Sequence, residues 1–272
     1  MADQEPSYFT DDSMLRTVHR EWVVAFSGPR ALLMQATHPV AFAGFFAHTG
    51  ALDEPYERLN RTAKVMDTIA FGPKQQADRM TRRVRAMHRR VNGELKEAQG
   101  RFPKGTPYAA DDPALLLWIL ATLVDSALLV YGKYVRRLSR DERDQYWQEY
   151  KLIGRLFGLE DHQMPETIED FDAYMAEMVE SDDLYVSDEA RELAIQIVLR
   201  PPVPLVAKPL VELANFITVG LLPRRIRDMY DLSWDPARGI ALHAGAQYAR
   251  RLLMPLLPGV VRHVPSARAT PG

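Results

Sequence analysis

The sequence predicts an all-α fold, and three observations predict it. Apolar residues recur at helical spacing along almost the whole chain, with no convincing run of strict apolar–polar alternation. Helix-start and helix-stop signals punctuate that pattern at Asp112-Pro113, Ser139-Arg140-Asp141-Glu142, Gly93 and Gly158. The longest apolar run, residues 114–130, is broken by Thr122, Asp125 and Ser126. A spanning helix needs roughly 20 clean apolar residues, so this run reads as a buried central helix.

The elements follow in order. A helix over residues 13–26 is expected to stop at Ser27-Gly28-Pro29, and a short apolar one covers 30–37. Pro39 restarts a helix that runs through residue 46. Residues 54–70 are amphipathic, with Leu59, Thr62, Met66 and Ile69 at helical spacing, and end at Gly72-Pro73. The next helix runs to about residue 91, followed by a loop over 94–110 that carries Gly100, Pro103, Gly105 and Pro107. Beyond the central helix, a capped helix ends at Gly158, and shorter ones cover 166–179 and 187–199. Pro201-Pro202 breaks the chain before two apolar helices over 205–221 and 236–257. The segments on both sides of the 94–110 loop are apolar and need each other, so one domain over 1–272 is expected, with 1–12 and 266–272 as flexible ends.

The 272 residues carry 34 Lys and Arg against 36 Asp and Glu, a net charge of −2. That balance gives no global signature of a nucleic-acid binder. The complete absence of cysteine excludes disulfides, zinc–thiolate sites, iron–sulfur clusters and thiolate-ligated heme. The acidic residues 1–12 lack the basic and apolar regions of a secretory signal, so a cytoplasmic location is expected, with a peripheral membrane contact left open. P-loop, dinucleotide-binding, zincin, nucleophile-elbow and paired Glu-x-x-His patterns are all missing.

Polar residues on otherwise core-forming helices are then the informative feature. Arg58, Arg61 and Thr62 share one face of their helix, and Arg85 and His88 share one face of the next. The turn at Gly72-Pro73 makes the two helices antiparallel neighbours, so the two sets could face each other across a groove. His88 among apolar and Arg neighbours is compatible with an axial heme ligand, and equally with a hydrogen-bonded boundary histidine. Gln35 and His38 form a second (i, i+3) pair, which could ligate or simply satisfy backbone groups near Pro39. His19, His162, His243 and His263 read as surface residues.

Taken in order, Arg30-Ala-Leu-Leu-Met-Gln35-Ala-Thr-His38-Pro39, Arg58-Leu-Asn-Arg61-Thr62, Val84-Arg85-Ala-Met-His88, Tyr108 to Trp118 and Gly220-Leu-Leu-Pro223-x-x-Ile-Arg227 resemble the DUF2236 family. That family includes the MpaB-type oxygenases and the latex-clearing rubber oxygenases. The resemblance implies a globin-related bundle of about ten helices that holds a non-covalent heme b. It implies His88 as the iron ligand, Arg85 close to it, and Arg58 and Thr62 on the oxygen side. Where rubber oxygenases carry a lysine able to ligate iron, this chain has Arg61, which stays protonated and is a poor ligand. His38 lies near the region where those enzymes use an acidic base. The expected activity is thus O2-dependent oxidation of a small apolar or lipid-like substrate other than polyisoprene. The alternatives are a non-catalytic heme or small-ligand binding protein and a helical scaffold without cofactor.

Overall fold

The computed structural model describes residues 6–47 and 55–268, with the side chains of 6–44 and 60–268. It is mostly α-helical, as the periodicity predicts. The chain opens with α1 (Met14–His19), capped by the Ser13 hydroxyl, which accepts from Arg16 N. Glu149 accepts two more of the orphan donors, Met14 N and Leu15 N, at 3.2 and 2.6 Å. Residues 6–12, expected to be loose, are anchored: Phe9 is buried, Ser7 pairs with Pro73, and Tyr8 donates to Asp78.

The helix expected over 13–26 is interrupted. Glu21 adopts an extended conformation, and the chain resumes as a 3-10 turn, Trp22–Phe26. The cause is tertiary: the buried Glu21 carboxylate accepts from Arg262 Nε at 2.6 Å, at the far end of the chain. Ser27-Gly28-Pro29, expected as a stop, is instead the first turn of α2 (Ser27–Gln35). Proline is tolerated there because its missing N–H would have had no intrahelical partner. Then follow α3 (Pro39–Ala47), α4 (Pro55–Phe71) and α5 (Lys74–His88).

The 94–110 loop holds structure that the sequence did not signal. β1 (Asn92–Glu94) and β2 (Pro107–Ala109) pair antiparallel, with Gly93 opposite Tyr108. Strands of three residues are too short to display a period of two. The hairpin closes because a Cβ at Gly93 would stand 2.6 Å from Tyr108 Oη, so only glycine admits the ring. Gly100 and Gly105 take positive φ, +56° and +84°, at its turns.

The central helix α6 (Pro113–Tyr134) starts where Asp112 accepts from Ala114 N and Leu115 N. It is long and apolar enough to cross a membrane, but 67% of that apolar window is buried inside the protein, so it serves as the core helix. α2 packs along it, and Trp118, Ala121 and Val124 are fully buried. α7 (Arg140–Phe157) begins with the expected Ser139–Glu142 capping box and stops at Gly158 with φ +109°. α8 (Ile168–Glu180) and α9 (Asp188–Leu199) complete the main apolar cluster.

A second cluster, Val130, Tyr134, Ile217, Leu221, Leu242 and Ala246, ties α10 (Lys208–Leu221) and α12 (Pro236–Tyr248) to α6. Between them lies the short α11 (Arg224–Met229). After α12 the chain widens into a π turn, Ala249–Leu253, and ends in short helical turns. Gly220 is the tightest point of this layer: a Cβ there would meet Trp234 Cη2 at 2.5 Å and Leu242 Cδ2 at 2.6 Å. Neither neighbour is the free end of a flexible chain, so Gly220→Ala is expected to cost about 1–3 kcal/mol through overpacking, read as a lowered urea midpoint.

Candidate active site

α4 and α5 pack against each other through the Gly72-Pro73 turn, as expected. At about 1.5 Å of rise per residue, Arg58 and His88 both lie roughly 22 Å from that turn, and Arg61 and Arg85 both lie roughly 18 Å from it. The hairpin therefore brings the four positions to matching heights. Arg58 belongs to the described backbone of α4, but its side chain lies outside the described residues.

Exposure corrects one part of the sequence reading. Thr62 was expected on the core face with Met66 and Ile69, yet residues 60–64 are all exposed. The covered face of α4 begins at Val65 and Met66 and deepens at Thr68, Ile69 and Ala70. Met87, on the turn before His88, is exposed too. On α5 the buried positions are Ala77 and Thr81, while Arg79, Arg82 and Arg83, with Arg89 and Arg90 just beyond the helix, are exposed.

His88 is half-buried and is the last helical residue of α5, three residues earlier than the stop expected from the periodicity. Its carbonyl accepts from Val91 N at 2.9 Å, which turns the chain into the hairpin. Arg85 lies beside the C-terminus of α7, where a Cβ at Gly158 would come within 3.4 Å of its Nε. A guanidinium there is favoured by the partial negative charge of the helix end.

His38 and Gln35 part company. Gln35 Nε2 donates to Thr122 Oγ1 at 3.0 Å and so ties α2 to α6, an anchoring role for its amide nitrogen. His38 is buried beside Phe102, 5.5 Å between ring centroids. Its Nδ1 has no hydrogen-bond partner among the described residues. Burial pushes its pKa below the ordinary histidine range, against the opposing pull of Asp183. A neutral imidazole with an unanswered buried nitrogen can take a polar role. It borders the small apolar cluster of Val40, Leu95 and Tyr108, one strand away from the chain that follows His88.

Two polar sites escaped the sequence reading. His19, read as a surface residue, has Nε2 2.9 Å from Tyr146 Oη and packs against Tyr146 and Tyr150. Burial holds its pKa down to about 4 and raises those of both tyrosines, so Tyr146 donates and neutral His19 accepts. An unfolded histidine titrates near 6.5. Between those values the unfolded chain binds a proton that the folded chain refuses. Stability is then expected to fall as pH drops from about 6.5 toward 4, by at most about 1.4 kcal/mol per pH unit. Urea midpoints for wild type and His19→Phe across that window measure the difference in slope. The second site is Arg30, whose guanidinium is buried against Asp125 and Ser126.

Among the described residues no three His, Asp or Glu side chains gather as a metal-binding group. A bare ion therefore has no ready ligand set there, whereas iron in a porphyrin needs from the protein only an axial donor, an apolar slot and cations for its propionates. His88, Val65, Met66 and Val84, with Arg61 and Arg85, supply those three kinds of group on one hairpin. These are the kinds of group that a heme draws on: one imidazole, half-buried apolar side chains and exposed cations.

No curated protein and no solved structure matches the chain. A family model does: "ER-bound oxygenase mpaB/B'/Rubber oxygenase, catalytic domain", over residues 16–251. That match begins within α1 and ends within the π turn after α12, so it includes the α4–α5 hairpin, and the chain belongs to this family of oxygenase catalytic domains.

Proposed function

We propose that the protein is a heme-b-dependent oxygenase that acts with O2 on a small apolar or lipid-like substrate. The observation that carries this reading is the donor set. In a cysteine-free oxygenase catalytic domain, His88 supplies an imidazole at the half-buried end of α5, on the α4–α5 hairpin.

His88 would hold the iron, and Arg85 would answer a propionate. Arg58, Arg61 and Thr62 would line the oxygen side. Bound heme supplies the electron transfer to O2 that oxygenase chemistry requires. Thr62 can donate one hydrogen bond through its hydroxyl and accept others. Arg61 keeps its proton, so it offers a fixed positive charge and donors in place of a ligating lone pair. Arg61 would then not compete with small molecules for a bound heme. The half-buried Val65, Met66 and Val84 and the exposed Met87 frame this polar set with apolar surface, which suits an apolar substrate. His38 Nδ1 is a further group able to hydrogen-bond a substrate oxygen.

Carbon monoxide tests the reading. The ferrous, heme-loaded protein is expected to bind it readily. Arg61→Lys, which restores an amine able to ligate, should convert the spectrum toward a six-coordinate form and slow carbon monoxide entry. A wild-type protein that takes up heme but binds neither carbon monoxide nor O2 would be a heme carrier, and the oxygenase reading would fail.

A further inference from the structure

Eleven of the fourteen large hydrophobic side chains exposed among the described residues fall between Leu205 and Val261. Scattered singly, such residues need no explanation. Concentrated in one quarter of a chain, they mark a surface with an occupant.

Their arrangement is ordered. Leu242, Ala246 and Met254 form the buried line of the rod made by α12 and its continuation. Tyr248, Leu252 and Leu256, four residues apart, lie outside, with Leu256 80% exposed. The π turn Ala249–Leu253 between them is wider than an α turn, which keeps a four-residue step nearly in line. On α10, which packs against α12, Leu210 and Leu213 are also exposed, while Ile217 and Leu221 face inward.

The charge is one-sided. From Pro236 to the last residue the chain carries five arginines and no Asp or Glu, although the whole chain is slightly acidic. Arg262 is committed to buried Glu21 and Arg238 pairs with Asp235. Arg250 and Arg251 sit inside the apolar row, between Tyr248 and Leu252; Arg251 is exposed, and half-buried Arg250 donates to the neutral Gln247 Oε1 at 2.7 Å, which leaves its charge unanswered by that bond.

We infer that this face docks on an anionic lipid surface, with Tyr248, Leu252 and Leu256 entering the headgroup–acyl boundary and Arg250 and Arg251 meeting lipid phosphates. Apolar side chains flanked by cations are what such an interface takes, and the one carboxylate beside the α10 leucines, exposed Glu212, lies outside the acid-free stretch that carries Arg250 and Arg251. A second copy of the chain fits less well, because a two-fold contact would set the Arg250–Arg251 pair against itself with no acid from this segment to answer it. The inference is independent of the heme reading, since docking involves no chemistry at His88.

Co-sedimentation of the full chain with phosphatidylcholine vesicles, with and without phosphatidylglycerol, tests it. Binding is expected to the anionic vesicles and to weaken as salt is raised. Arg250→Glu/Arg251→Glu should weaken it at least roughly thirtyfold, about fivefold for each cation removed. Leu256→Asp alone should also release the protein; because the residue is exposed, its circular dichroism should remain that of wild type. Failure to bind anionic vesicles at low salt overturns the proposal, as does binding that both variants retain. So does a reversible dimer that Leu256→Asp abolishes, or binding to polyglutamate in place of vesicles.

Discussion

Replacing Arg30 by alanine is expected to cost about 3 kcal/mol or more of stability, the largest loss from any single substitution considered. The side chain is 3% exposed and ties three helices together. Its Nε donates to the Leu221 carbonyl at 2.8 Å, and its Nη1 reaches Ser126 Oγ and Asp125 Oδ2, both at 2.6 Å. Removing one partner of a buried ion pair leaves the other uncompensated, which costs about 3–5 kcal/mol. Asp125 keeps some contact with water, so the lower end applies. The urea midpoint should fall with an unchanged slope. Arg30→Lys should recover only part, because a point charge cannot serve three acceptors in a fixed fork. A loss below about 1 kcal/mol for Arg30→Ala would mean that the three contacts do not act together.

Replacing His88 by alanine is expected to separate binding from stability. The residue is half-buried at the end of a helix, so truncation should cost no more than about 1 kcal/mol, typical of a partly exposed site. Heme affinity, by contrast, should drop by at least about a hundredfold. Groups that only orient a metal ligand already account for 10–100-fold, and His88 would be the ligand itself. Added imidazole should restore much of the absorption band, because it can occupy the space the side chain leaves. Equal loss of stability and heme binding would assign His88 a structural role instead.

Local signals made much of the fold legible. Asp112-Pro113, Ser139 with Glu142, and Gly158 act within one turn of themselves, and each sits where its chemistry puts it. What distant residues decide was not legible. The break at Glu21 depends on Arg262, and the burial of His19 depends on Tyr146; neither partner lies nearby in the chain. The three-residue strands were too short to signal themselves. The C-terminal helices read as apolar and therefore as core, but only one line of α12 finds a partner.

The candidate site was legible in the same partial way. Spacing alone placed Arg61 and Thr62 with Arg85 and His88 on one hairpin, because the Gly72-Pro73 turn fixes how α4 meets α5. It could not tell that residues 60–64 of α4, Thr62 among them, are exposed. The partner of Gln35 was not legible either: its amide nitrogen bonds Thr122, on another helix.

The heme content of the protein purified from heme-replete cells is the most direct measurement. A pyridine hemochrome assay should give close to one heme b per chain, with a visible absorption band that shifts when the reduced protein meets carbon monoxide. The same preparation of His88→Ala should contain almost none. A wild-type value near zero, with His88→Ala indistinguishable from it, would contradict the assignment of His88 as an iron ligand and with it the heme-dependent oxygenase.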